Sequence, residues 1–123
     1  MPFRGIRGAI TVRENTRSAI TEATRDLLRE MVHAHGVARY DVASVIFTAT
    51  ADLDAAYPAV AAREMGWTDI PLLCMQEMAV VDSLPQCVRV LLHWNTDRSV
   101  SEVRHVYLGG AAILRPDIVE AQR

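Results

Sequence analysis

Between Thr16 and Gly36, Ile20, Leu27, Leu28, Met31 and Val32 recur at helical spacing, with Arg25, Asp26, Arg29 and Glu30 between them. Asn15 and Thr16 are N-cap candidates, and Gly36 sits where a C-terminal stop belongs. This is the one long amphipathic helix in the chain. Around it the sequence reads as strands at 3–12, 43–50, 71–77, 87–95 and 103–108. A short helical stretch, AYPAVAAREMG, runs over 56–66, with Pro58 in its first turn, where a missing N–H is harmless, and Gly66 at its end. The order is β, long α, β, short α, β, β, β, which predicts an α/β (α+β) domain with one sheet. Two helices cannot cover both faces of five strands. One sheet face therefore needs another partner, and a closed homo-oligomer is the natural solution.

The 123 residues, half of them hydrophobic, suit one domain over 1–123, with 116–123 read as a mobile polar tail. A net charge of −2 offers no footprint for a nucleic-acid partner. No apolar run reaches the ~20 residues that span a bilayer, and Met1–Gly8 carries two arginines instead of a signal segment. Cys74 and Cys87 are too few for a disulfide scaffold. Together these features predict a cytoplasmic protein with no membrane partner.

The inventory of reactive groups narrows the chemistry. His33, His35, His93 and His105 are scattered, and neither cysteine belongs to a CxxC, so no metal site is expected. Gly5 and Gly8 form neither a dinucleotide fingerprint nor a P-loop, and no cofactor is implied. All 13 basic residues are arginine, a usage that genome composition explains, but it rules out a lysine Schiff base. Cys74 has no histidine in local sequence to activate it and reads as a small strand hydrophobe.

Two arginines stand out by position. Alternation puts Arg7 on one strand face with Phe3, Gly5 and Ala9, and small neighbours leave room beside a guanidinium. Arg89 shares a face with Cys87, Leu91 and His93 in a largely apolar strand. An arginine there must be paired or must meet an anion. A structural ion pair or an edge position explains either one alone. Taken together, and with Glu77 ending another apolar strand, they point to an anion site.

The segments RGIRGAITV (4–12), ATADL (49–53), AYPAVAARE (56–64), PLLCMQEM (71–78), CVRVLLHWNTD (87–97) and RHVYLGGAAILRPD (104–117) together resemble the monofunctional, barrel-type chorismate mutases. The resemblance covers nearly the whole chain in order. It implies a homotrimeric pseudo-α/β-barrel, built on a five-stranded mixed sheet with one long and one short helix, and active sites between subunits. It also implies the Claisen rearrangement of chorismate to prephenate, with no covalent intermediate and no cofactor. Such a reaction needs a flexible dicarboxylate held in a compact shape and positive charge where the breaking C–O bond leaves negative charge.

Carried onto this chain, the resemblance makes Arg89 the cation beside the ether oxygen, Arg7 a contact for a carboxylate and the ether region, and Glu77 the acceptor for the ring hydroxyl. Tyr107 becomes a carboxylate-binding hydroxyl, Tyr57 an aromatic wall, and Cys74 a pocket-wall neighbour of Glu77. Ala59, Leu72, Leu73 and Leu114 line the pocket, and Arg63 and Arg115 are cations near its entrance. The chain departs from some relatives in having Val60 where they carry a lysine near the mouth, which weakens guidance of the dianion, and SLPQ at 83–86 in place of a glycine-rich turn. A trimeric enamine/imine deaminase-like enzyme and a non-catalytic dicarboxylate-binding trimer are the alternatives. The deaminase needs a water-activating site and other motifs; the binding protein has little use for a cation at the ether position.

Overall fold

A computed structural model describes residues 2–114. Five strands, β1 (Phe3–Thr11), β2 (Val42–Ala49), β3 (Leu72–Gln76), β4 (Cys87–Asn95) and β5 (Val106–Leu108), form one sheet in the order β3-β2-β4-β1-β5. β4 runs antiparallel to both β1 and β2, while β1 with β5 and β2 with β3 are parallel. The sheet is therefore mixed and open, with β3 and β5 at its edges.

The long helix α1 (Arg17–His35) starts and stops where its cap signals stand. Thr16 Oγ accepts the Ala19 amide at 3.2 Å, and Gly36 ends the helix at φ 64°, a conformation glycine adopts without strain. Asn15, the other cap candidate, is used elsewhere: its Oδ1 accepts the amides of Asp54 and Ala55, both at 3.1 Å. The short helix α2 (Ala59–Glu64) begins one residue after Pro58, and Gly66 just beyond it takes φ 90°.

Both helices lie on one face of the sheet. Ile20, Leu27, Leu28 and Met31 of α1 are fully buried against Ile6, Phe47, Val88 and Leu92. Each such side chain contributes roughly 1.5–3 kcal/mol through burial. α1 approaches β1 most closely at Gly8, where an added Cβ would lie 2.4 Å from Met31 Sδ and 3.0 Å from Leu27 Cδ1.

Among the described residues the opposite face has no helical layer. At one end a 3-10 turn over Gly109–Leu114 folds back, buries Ala111, and packs with Ala9, Cys87, Leu84, Tyr107 and Leu114 in a small second cluster. Gly110 donates to Thr11 Oγ at 2.9 Å, and a Cβ at Gly109 would meet that oxygen at 2.7 Å. Elsewhere this face and the edge beside it stay open: Phe3, Leu73, Met75 and Val80 are each roughly half or more exposed.

The expected strand over 103–108 is shorter than its sequence pattern. Val103 ends a 3-10 turn over Val100–Glu102 and is buried. The Arg104 amide turns to His35 Nε2 at 2.8 Å instead of joining the ladder. Arg115 and the tail at 116–123 lie outside the described residues.

Candidate active site

Strand register assembles the open-face residues in rows. Arg89 on β4 stands opposite Thr48 on β2 and Ala9 on β1. Thr48 in turn pairs with Met75 on β3, and Ala9 with Tyr107 on β5. One line thus crosses all five strands: Met75, Thr48, Arg89, Ala9, Tyr107. The next line carries Leu73, Ile46, Leu91 and Arg7. Ala9 sits between the two long polar side chains of its row, and its small size keeps the floor low. Above the floor is a hollow of about 640 Å³ whose walls include Arg7, Arg89, Thr48, Met75, Tyr107 and Leu114.

Glu77 stands one residue past β3, and its amide donates to the Ala49 carbonyl at 2.9 Å. Its Oε2 accepts from Thr48 Oγ at 2.5 Å and lies 3.3 Å from Arg89 Nε. That nitrogen is shielded from solvent, yet its N–H is not aimed at the carboxylate, so charge rather than a directed hydrogen bond holds the pair. The Arg89 side chain is 42% exposed, so the pair adds at most about 1 kcal/mol to stability. A purely structural purpose is thus a weak explanation for two charges on an apolar face. The Arg7 side chain makes no ion pair or hydrogen bond among the described residues, while its backbone amide donates to His105 Nδ1 at 3.0 Å.

The other expected pocket residues lie across the sheet. Along β3 the side chains alternate. Leu73 and Met75 pair with Ile46 and Thr48 on the open side, whereas Leu72 and Cys74 pair with buried Val45 and Phe47 on the helix side. Cys74 receives the Ala59 amide and feels the charge of Arg63, but burial outweighs both and raises its thiol above the ordinary value. Tyr57 and Cys74 line a second hollow of about 540 Å³ together with Arg17, Asp54 and Gln76. The bonds from Asn15 to Asp54 and Ala55 brace the loop leading to Tyr57, which is 71% exposed. Ala59 is fully buried, Val60 is half-buried, and Arg63 points to the exterior.

Within one chain, then, Arg7, Glu77, Arg89, Tyr107, Leu73 and Leu114 belong to one face, and Tyr57, Ala59, Arg63, Leu72 and Cys74 to the other side of edge strand β3. Within one chain the Cys74 and Glu77 side chains face opposite ways, because a separation of three along extended chain turns them so. Thr48 was not among the residues singled out from sequence. Threonine is an ordinary strand former, and only the register shows that its hydroxyl faces Glu77.

Among the described residues no cluster of three or more His, Cys, Asp or Glu side chains converges as a metal cage, and no helix is long and apolar enough to cross a membrane. What the open face presents is an electropositive hollow with one carboxylate at its rim, a shape suited to a small polar anion. The chain belongs to the chorismate mutase type I family, whose pattern it matches over residues 3–118. It is 54% identical over 120 residues to chorismate mutase AroH of Thermus thermophilus, an alignment covering 97% of this chain and 98% of that one. Chorismate mutase AroH of Bacillus subtilis is 42% identical over 119 residues, covering 96% and 94% respectively. The solved chorismate mutase from Clostridium thermocellum superposes with a TM-score of 0.88 at 50% identity, covering 89% of this chain and 98% of that one.

Proposed function

We propose that this chain converts chorismate to prephenate by restraint and electrostatics, in sites completed between copies. The observation that carries this reading is the Arg89–Glu77 pair, with Nε and Oε2 3.3 Å apart on a face where Arg7 has no side-chain partner among the described residues. Chorismate offers two carboxylates, a ring hydroxyl and an ether oxygen. Arg7 and Tyr107 hold carboxylate, and Glu77 accepts the hydroxyl. The Arg89 guanidinium lies where negative charge grows on the ether oxygen as its C–O bond breaks. Bond breaking and C–C bond formation are concerted within the bound molecule, so no side chain exchanges a proton or forms a bond. Holding the diaxial conformer converts lost conformational freedom into rate.

The second group of residues enters from a neighbouring copy. Tyr57, Leu72 and Cys74 cannot reach the open face of their own sheet. A homotrimer would carry each copy's β3 edge to the next copy's hollow, bringing Tyr57 as an aromatic wall and Arg63 to the entrance. Such packing would also bury exposed Leu73, Met75 and Val80. The free thiols Cys74 and Cys87 suit the reducing cytoplasm.

The test follows loss of chorismate absorbance with purified protein, then acidifies the product to phenylpyruvate. Absence of turnover would sink the reading. Sedimentation of the same sample should give three copies per particle, and a stable active monomer would contradict the shared site.

A further inference from the structure

Glu77 needs support to act as a hydroxyl acceptor. It sits just outside β3, at the head of a stretch with no regular structure that leads into the turn containing Asp82 at φ 64°. Its carboxylate swings on a flexible stem. Two groups hold it, both on the same oxygen: Thr48 Oγ at 2.5 Å and Arg89 Nε at 3.3 Å. Oε1 has no partner among the described residues.

The two restraints are unequal. Arg89 is a long side chain whose N–H is poorly aimed at the carboxylate. Thr48 lies inside β2, paired on both sides by β3 and β4, and a β-branched side chain on a strand is stiff at χ1. A hydroxyl donating to a carboxylate is also a strong, short contact. Thr48 is therefore the group that sets which way the carboxylate faces.

We propose that Thr48 is a positioning residue: by occupying Oε2 it turns Oε1 of Glu77 toward the substrate and so sets recognition of the ring hydroxyl. The inference rests on Glu77 being the acceptor for that hydroxyl. Thr48 touches no reacting atom in this account and acts through Glu77 alone. Its hydroxyl carries the effect, and the branched shape only steadies the rotamer.

Thr48→Val keeps the branched shape and the strand preference and removes the donor; Thr48→Ser restores the donor. Losing one charge-assisted bond should lower kcat/KM about ten- to hundredfold in Thr48→Val, with Thr48→Ser recovering most of it at an unchanged melting temperature. Calorimetry on the same proteins would compare a bicyclic dicarboxylate transition-state analogue with its deoxy form. Wild type and Thr48→Ser should prefer the hydroxylated compound, and Thr48→Val should lose about tenfold of that preference. In the Glu77→Gln background, Thr48→Val should cost little more.

If wild type discriminates and Thr48→Val discriminates equally, Thr48 has no positioning role and Glu77 keeps its own. Additive losses in the double variant would likewise overturn it. If wild type does not discriminate, the role of Glu77 fails and the inference falls with it. A variant folded as well as wild type, slower, and blind to the hydroxyl is the supporting outcome, and a merely structural threonine would not produce it.

Discussion

His35, at the last turn of α1, holds the backbone amide of Arg104 at 2.8 Å through Nε2, while its Nδ1 meets the Met31 carbonyl, also at 2.8 Å. The ring is buried and packs edge-on to Trp94 with centroids 5.4 Å apart. Nδ1 is therefore the donor and Nε2 the acceptor, because a backbone amide can only donate and a carbonyl only accept. This one ring ties the end of the long helix to the segment that delivers Tyr107.

His35→Leu keeps the bulk and leaves the part-buried Arg104 amide without its acceptor. The expected loss is about 1–3 kcal/mol, read as a lower urea midpoint at unchanged slope. Activity should fall less than stability does, since Tyr107 is still held through the β1–β5 ladder.

Arg89→Ala should lower kcat by about 10²–10³, by analogy with removing a donor to a developing oxyanion. Folding should hardly change, because the half-exposed, poorly aimed pair with Glu77 contributes about 1 kcal/mol at most. Steady-state kinetics beside a melting curve separates the two. A variant that retains wild-type kcat would remove Arg89 from its proposed place.

Turnover should be nearly flat from about pH 6 to 9, because no step moves a proton through a side chain. Stability should behave differently at the alkaline end. Burial raises the Cys87 thiol above its ordinary value of 9.0; Arg89 opposes the shift and Glu77 adds to it. A group raised in the folded state contributes fully below its unfolded value and loses that contribution as pH climbs through the folded one. Denaturant midpoints should therefore decline above about pH 9, and Cys87→Ala should flatten that decline. An equally steep decline in the variant would assign it to other groups.

Gly8→Ala should cost about 1–3 kcal/mol, the usual penalty for overpacking a closed core. The new methyl would meet Met31 Sδ at 2.4 Å, and Met31 is itself fully buried. Shortening that side chain should relieve the clash: Met31→Ala and Gly8→Ala together should cost less than the sum of their separate effects.

Much of this was legible in the chain because its signals are local. Thr16 and Gly36 mark α1, and the alternation in β1 sorts Arg7 from Gly8. Alternation also bears on Cys74 and Glu77: three residues apart along extended chain, they face opposite ways within one chain. What stayed hidden depends on register. Nothing in ASVIFTAT distinguishes Thr48 from the neighbouring hydroxyls until β4 sets Arg89 across from it. The shortening of β5 was equally invisible, since the bond that diverts Arg104 comes from His35, 69 residues away.

The strand order β3-β2-β4-β1-β5 also has a history in time. β1 is made first, yet both of its sheet neighbours are made last. On a ribosome adding about 5–20 residues per second, β1 waits seconds with both edges unpaired before Cys87 and its successors emerge. Its one early companion is α1, the next element out, which closes on Gly8. Sheet completion thus waits for β4 and β5, and a transcript cut short before β4 would release a chain with β1 still bare on both edges.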